Sequence, residues 1–164
     1  MPRPNDAFCH LPQLRERIAP AEASSLRVTP QTLALWDERA RAQGRGADWR
    51  LSDAQLQATQ VALLGDGSDG QDLWIFGYGS LTWDPGFHFS EVRLAVLPAH
   101  RRRFSCRTVL GRGSPECPGL MLTLEPGEGD CHGLAFRIDA THAAHECGMV
   151  WRREMIRAIY RPCL

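Results

Sequence analysis

No apolar run in the chain approaches the ~18 residues that a membrane-crossing helix needs. The opening stretch Met1-Pro2-Arg3-Pro4-Asn5 also lacks the apolar core of a signal peptide. These absences predict a cytoplasmic protein with no membrane partner. Net charge is missing as well: 19 basic residues balance 19 acidic ones over 164 positions, so the chain carries no overall electrostatic footprint for nucleic acid. A small molecule is the expected partner. The six cysteines, Cys9, Cys106, Cys117, Cys131, Cys147 and Cys163, contain no C-x-x-C pair. That argues against a disulfide framework and for scattered, reduced thiols. There is no internal repeat and no low-complexity tract, and the length suits one domain with a real core.

One metal reading follows from the cysteines. Cys131-His132 is followed by His142, His145 and Cys147, and His142 and His145 fall three residues apart on one helix face, where they can hold zinc. Structural zinc sites favour tight Cys or His pairs at both ends, and neither end has one here. The expectation is therefore no metal, with the histidines exposed or hydrogen-bonded.

What is present divides near residues 65–71, where Gly-Asp-Gly-Ser-Asp-Gly-Gln has the make-up of a flexible linker. Residues 1–70 read as a helical or partly disordered N-terminal extension. Thr29-Pro30 opens a helix through Leu33, Leu35, Trp36 and Ala40 that ends near Gly44 and Gly46, and Ser52 with Gln55 forms a capping box for a second helix reaching about Leu64. Residues 1–25 show no firm periodicity and are expected to lack order. Residues 71–164 read as a second unit rich in strands: Leu73 to Phe76, Val92 to Leu97, Phe104 to Val109, Gly119 to Leu124 and His132 to Ile138. A helix follows from Ala143 to Ile159, with Cys147, Val150, Trp151, Met155 and Ile159 at helical spacing and Glu154 at the edge of that apolar stripe.

The most telling stretch is Trp74-Ile75-Phe76-Gly77-Tyr78-Gly79-Ser80-Leu81-Thr82-Trp83, an apolar strand that stops at two glycines flanking a tyrosine. Gly77 and Gly79 are read as positive-φ positions without a Cβ, which lets successive N–H groups converge on a carboxylate or a developing oxyanion. The plain alternative is a tight turn after a core strand. Arg112-Gly113-Ser114-Pro115-Glu116-Cys117-Pro118-Gly119 is a stiff loop that forms either a pocket wall or an ordinary strand connection. Arg101-Arg102-Arg103-Phe104 reads first as a solvated strand end, with one arginine in reach of a substrate carboxylate as the second option.

Taken together, these residues resemble the ChaC-type glutathione-specific γ-glutamylcyclotransferases. The blocks are Ile75-Phe76-Gly77-Tyr78-Gly79-Ser80-Leu81-x-Trp83-x-Pro85, His100-Arg101-x-x-Phe104, Gly111-Arg112-Gly113-Ser114-x-x-x-Pro118-Gly119, Gly133-x-Ala135-x-Arg137, and Arg153-Glu154-Met155 followed by Tyr160-x-Pro162. Five blocks in order are far more specific than any one. The resemblance implies an α+β fold, a small mixed β-barrel-like sheet with flanking helices. It also implies cleavage of glutathione to 5-oxoproline and cysteinylglycine with no cofactor. On the same grounds Gly77, Tyr78, Gly79, Ser80, Leu81 and Thr82 hold the γ-glutamyl portion and Glu154 is the acid/base. The chemistry agrees, since the substrate's α-amine is protonated at neutral pH and needs a carboxylate to take its proton.

Family members continue through further strands and helices beyond the position of Leu164. The C-terminal part of the fold is therefore expected to be missing, leaving open sheet edges, marginal stability and an open pocket floor. The alternative readings are a truncated, non-catalytic relative that binds a γ-glutamyl ligand or a protein, and the metal module above. A surface ion pair of Glu154 with Arg153 or Arg157 is the plain reading of that residue. The oligomeric state is not legible.

Overall fold

A computed structural model describes residues 6–65, 70–109, 113–157 and 159–162. The linker positions 66–69, Leu110 to Arg112 and Cys163-Leu164 lie outside the described residues, as does the opening stretch. The fold is α+β, with helices α1 (Pro30–Ala42), α2 (Asp53–Leu64) and α3 (Ala140–Glu154) around strands β1 (Leu73–Gly77), β2 (Glu91–Thr108) and β3 (Gly119–Ile138).

Both N-terminal helices begin where their caps dictate. The Thr29 side chain accepts from the Thr32 N–H with Pro30 in the first turn, and Ser52 and Gln55 make the full reciprocal capping box. Gly65 closes α2 at φ 72°.

The described strands form an open, antiparallel sheet in the order β1-β3-β2. Register runs from Leu73 opposite Ile138 to Gly77 opposite Leu134, and on the other side from Glu91 opposite Arg137 to Thr108 opposite Gly119. Five expected strands are thus three, because β2 and β3 each run straight through a proline. The ladder absorbs the interruption as a register shift between Pro98 and His100, where Ala99 takes φ 54°. Helix α3 ends at Glu154, five residues short of the expected Ile159, so Glu154 sits at a helix end.

Alternation on β3 puts Leu134, Phe136 and Ile138 on the buried face. Phe136 meets Phe87 and Phe89 edge-on at centroid distances of 5.6 and 5.0 Å. This core also takes in Leu11, Ile18 and Val150. The early segment is therefore not loose: Leu11, Ile18, Ala21 and Val28 are buried. Their spacing is set by isolated turns at Pro12–Leu14 and Ala21–Ala23, which leave no helical or strand period to read. Gly86 makes this docking possible. It holds φ +72°, and a Cβ there would meet the Leu26 carbonyl oxygen at 3.0 Å. Beside it, Arg27 grips the buried Glu146 of α3 through two hydrogen bonds of 2.7 and 2.9 Å. A second cluster, Leu56, Cys147, Trp151 and Met155, packs α2 against α3, and Trp151 Nε1 donates to Thr59 Oγ1 at 2.9 Å.

Candidate functional site

At the end of β1 the chain enters a short turn, Ser80–Thr82. Its own hydrogen bonds start with the Thr82 N–H to the Gly79 carbonyl at 2.9 Å. The N–H groups of Ser80 and Leu81, at the turn's open end, are not used by it. Tyr78, Gly79, Ser80 and Leu81 line a cavity of about 700 Å³ together with Glu154. That volume falls within the usual range for small-molecule sites.

Two of the expected binding residues stand behind this wall. Thr82 Oγ1 donates to the Gly79 carbonyl at 2.8 Å and so shapes the turn. Gly77 is buried in the core, where a Cβ would meet Leu81 Cβ at 3.0 Å and Phe136 Cε2 at 3.2 Å. The positive-φ reading of the loop is corrected: neither Gly77 nor Gly79 is among the positive-φ glycines, and Gly79 has φ −135°. Close packing requires glycine at 77. At 79 a Cβ would meet only Leu122 Cδ2, at an ordinary 3.8 Å, and Leu122 is itself on the cavity wall.

Glu154 reaches the cavity from the last turn of α3. Its side chain is half-buried, 32 % exposed; the desolvation raises the pKa of its carboxyl group, and the adjacent Arg153 guanidinium, with Nε 3.1 Å from Oε1, opposes that rise. Burial also pushes the Tyr78 phenol up to about 12, with Tyr160 and Glu154 adding to the effect, so Tyr78 remains neutral at physiological pH. The ion pair read as the plain role of Glu154 does exist, but it lies inside the cavity.

Arg153, read in the sequence only as a neighbour and ion-pair partner of Glu154, makes contacts with the glycine loop and the segment after it that the sequence did not signal. Its side chain is only 10 % exposed. Nη2 donates to Ser80 Oγ at 2.7 Å, and Nη1 donates to the carbonyls of Asp84 and Pro85 at 2.8 and 3.2 Å. One guanidinium thus ties the glycine loop to the helix end that presents Glu154. Nothing in residue spacing reveals a contact across 73 positions.

Other candidates separate from the site. Arg101, Arg102 and Arg103 do not line the cavity, although Arg102 Nη1 lies 3.4 Å from the Tyr78 carbonyl; Phe104 does line it. The described part of the Pro/Gly loop, from Gly113 on, folds on itself through Ser114 N–H to the Cys117 carbonyl at 2.9 Å and forms none of the cavity wall. Cys131, His142, His145 and Cys147 are not brought together, and no group of metal-ligating side chains occurs among the described residues. Burial alone pushes the Cys147 thiol up to about 11, the state of an inert core thiol. No helix among the described residues is long and apolar enough to cross a membrane.

Comparison with known proteins bears on the same segment. The chain is 39 % identical over 111 residues to the glutathione-specific gamma-glutamylcyclotransferase of Escherichia coli (strain K12), covering 68 % of this chain and 48 % of that protein. It is 45 % identical over 75 residues to glutathione-specific gamma-glutamylcyclotransferase 1 of Mus musculus, covering 45 % of this chain and 33 % of that protein. The chain therefore spans half or less of the length of these relatives. Among solved structures, the glutathione-specific gamma-glutamyl cyclotransferase from yeast aligns at 24 % identity and a TM-score of 0.46, covering 51 % of this chain and 48 % of that one. The family model for ChaC-like protein matches residues 73–163, more than half of the sequence and all of the glycine loop, Arg153 and Glu154, and the chain belongs to the ChaC-like family.

Proposed function

We propose that this cavity is the active site of a glutathione-specific γ-glutamylcyclotransferase. The observation that carries the reading is a single one: Glu154, with its carboxyl pKa raised by burial, shares a cavity with the Tyr78–Leu81 loop. The names of the relatives supply the substrate.

In this reading the γ-glutamyl end of glutathione lies against Tyr78, Gly79, Ser80 and Leu81, with Gly77 and Thr82 supporting the loop from behind. The α-amine attacks the γ-carbonyl carbon, a ring C–N bond forms, and the C–N bond to cysteine breaks. The α-ammonium gives up two protons in becoming the lactam N–H, and the leaving nitrogen gains two in departing as an ammonium. Glu154 carries them, a task that suits a carboxyl group raised toward the working pH. The N–H groups of Ser80 and Leu81 receive the charge that develops on the carbonyl oxygen. Because nucleophile and electrophile belong to one molecule, orientation supplies much of the rate and few groups are needed. Arg153 acts as a positioning residue, holding loop and carboxylate in one frame.

Product analysis tests this. Incubated with glutathione, the protein is expected to release equal amounts of 5-oxoproline and cysteinylglycine and no glutamate. Glutamate as the main product would mean attack by water and overturn the cyclisation. No product at all would favour a relative that binds without turning over.

A further inference from the structure

Part of the cavity lining comes from before the family-matched residues 73–163. Helix α1 and the segment after it contribute Trp36, Arg39, Gln43, Arg45 and Trp49, and Arg157, from just beyond α3, lines the same cavity. The charged side chains on the whole cavity are Arg39, Arg45, Arg153, Arg157 and Glu154, four cations against one anion. Arg153 and Glu154 face each other, which leaves Arg39, Arg45 and Arg157. Among the described residues, no carboxylate pairs with any of these three.

A basic residue in the last turn of a helix is favoured by the helix dipole, and that accounts for Arg39 by itself. It does not account for Arg45, which lies past the helix, nor for Arg157, which comes from a different segment. A guanidinium that lines a cavity with no carboxylate partner offers its charge to an anion entering that cavity. Arg45 is also oriented: its Nε donates to Gln43 Oε1 at 3.1 Å, which directs the remaining N–H groups of the fork elsewhere. A guanidinium fork matches a carboxylate in geometry and in charge.

Resting on the reading of the cavity as a glutathione site, we infer that Arg39 and Arg45 bind the glycine carboxylate of the leaving cysteinylglycine portion. The N-terminal extension then selects the second half of the substrate. The loop recognises what all γ-glutamyl compounds share, and the arginine wall recognises what only an acceptor with a terminal carboxylate carries.

The test compares glutathione with its glycine amide, which differs only in that one charge. Affinities are read by calorimetry on Glu154→Gln protein and turnover on protein with Glu154 intact. Each is measured with and without the double substitution Arg39→Met/Arg45→Met, with thermal melting as the check on folding. The acid is expected to be preferred over the amide by roughly ten- to a hundred-fold, the worth of charge-assisted hydrogen bonds. The double variant is expected to lose that preference, and Arg45→Lys to keep part of it. If the folded protein binds or turns over both forms alike, or if the arginine-free variant keeps the preference, the inference is overturned while the cyclotransferase reading stands. If an arginine-dependent preference appears in binding but no 5-oxoproline is formed, the carboxylate wall stands and the enzymatic reading falls. Binding of neither compound overturns both.

Discussion

Replacing Arg27 with Met removes the clamp between the N-terminal segment and α3. The side chain of Glu146 is 4 % exposed, and burial by itself would raise its pKa. The Arg27 guanidinium and the N–H and Nδ1 of His88, at 2.9 and 3.0 Å, instead hold it at about 2. A carboxylate at about 2 rather than the ordinary 4.5 favours the folded state by about 3 kcal/mol at neutral pH. Removing one member of a buried pair costs about 3–5 kcal/mol by the same physics, because the other charge is left stranded. Against a typical total of about 5–15 kcal/mol, that loss is large. The pKa is lowered on folding, so the stabilisation is complete above the unfolded value of 4.5 and is lost as pH falls through about 2. Urea unfolding of wild type and Arg27→Met at neutral pH, repeated in steps down to strong acid, is therefore expected to show the full deficit at pH 7 and a shrinking one below pH 4.5. The double substitution Arg27→Met/Glu146→Leu removes both charges and is expected to regain most of the loss. A deficit under about 1 kcal/mol at pH 7, or a double variant as unstable as the single one, would refute the reasoning.

Further outcomes follow from the site. Gly79→Val is expected to place its side chain in the cavity beside Leu122 and to abolish glutathione binding in calorimetry, with thermal melting as the check on folding. Arg153→Met frees Ser80 and removes the charge that opposes the rise of the Glu154 pKa. It is expected to lower 5-oxoproline formation by about a hundred-fold or more and to move the acid limb of the pH–rate profile to higher pH, because the base must be ionised to act. The raised Glu154 pKa also predicts a stability effect of the opposite sign to that of Glu146. Its folded form favours the proton, so stability is full below 4.5 and falls as pH rises through the raised value. Glu154→Gln is accordingly expected to melt higher than wild type at neutral pH and alike below pH 4.5.

Local chemistry was legible in the sequence, and contacts across long separations were not. The Thr29 and Ser52-Gln55 caps located two helix starts because a cap is written in adjacent residues. Strand runs were recognised, but period-two patterning does not distinguish a strand end from a bulge, and Pro98 and Pro126 divided two continuous strands into four. The early segment looked loose because Leu11, Ile18 and Val28 enter the core singly from turns and extended chain. At the site, Tyr78, Gly79, Ser80, Leu81 and Glu154 meet around one cavity. Gly77 and Thr82 are not part of its lining, a distinction that motif spacing does not carry. Arg153 and Arg27 act across the fold, on Ser80 and on Glu146, and residue spacing does not announce contacts at such separations.

The central claim is that Glu154 moves the protons of a γ-glutamyl cyclisation, and Glu154→Gln tests it most directly. The amide keeps the shape and cannot accept a proton, so 5-oxoproline release from glutathione is expected to fall by about a hundred-fold or more, with calorimetric binding of glutathione retained. A folded Glu154→Gln protein that binds glutathione and still forms 5-oxoproline at a rate near that of wild type would contradict the account.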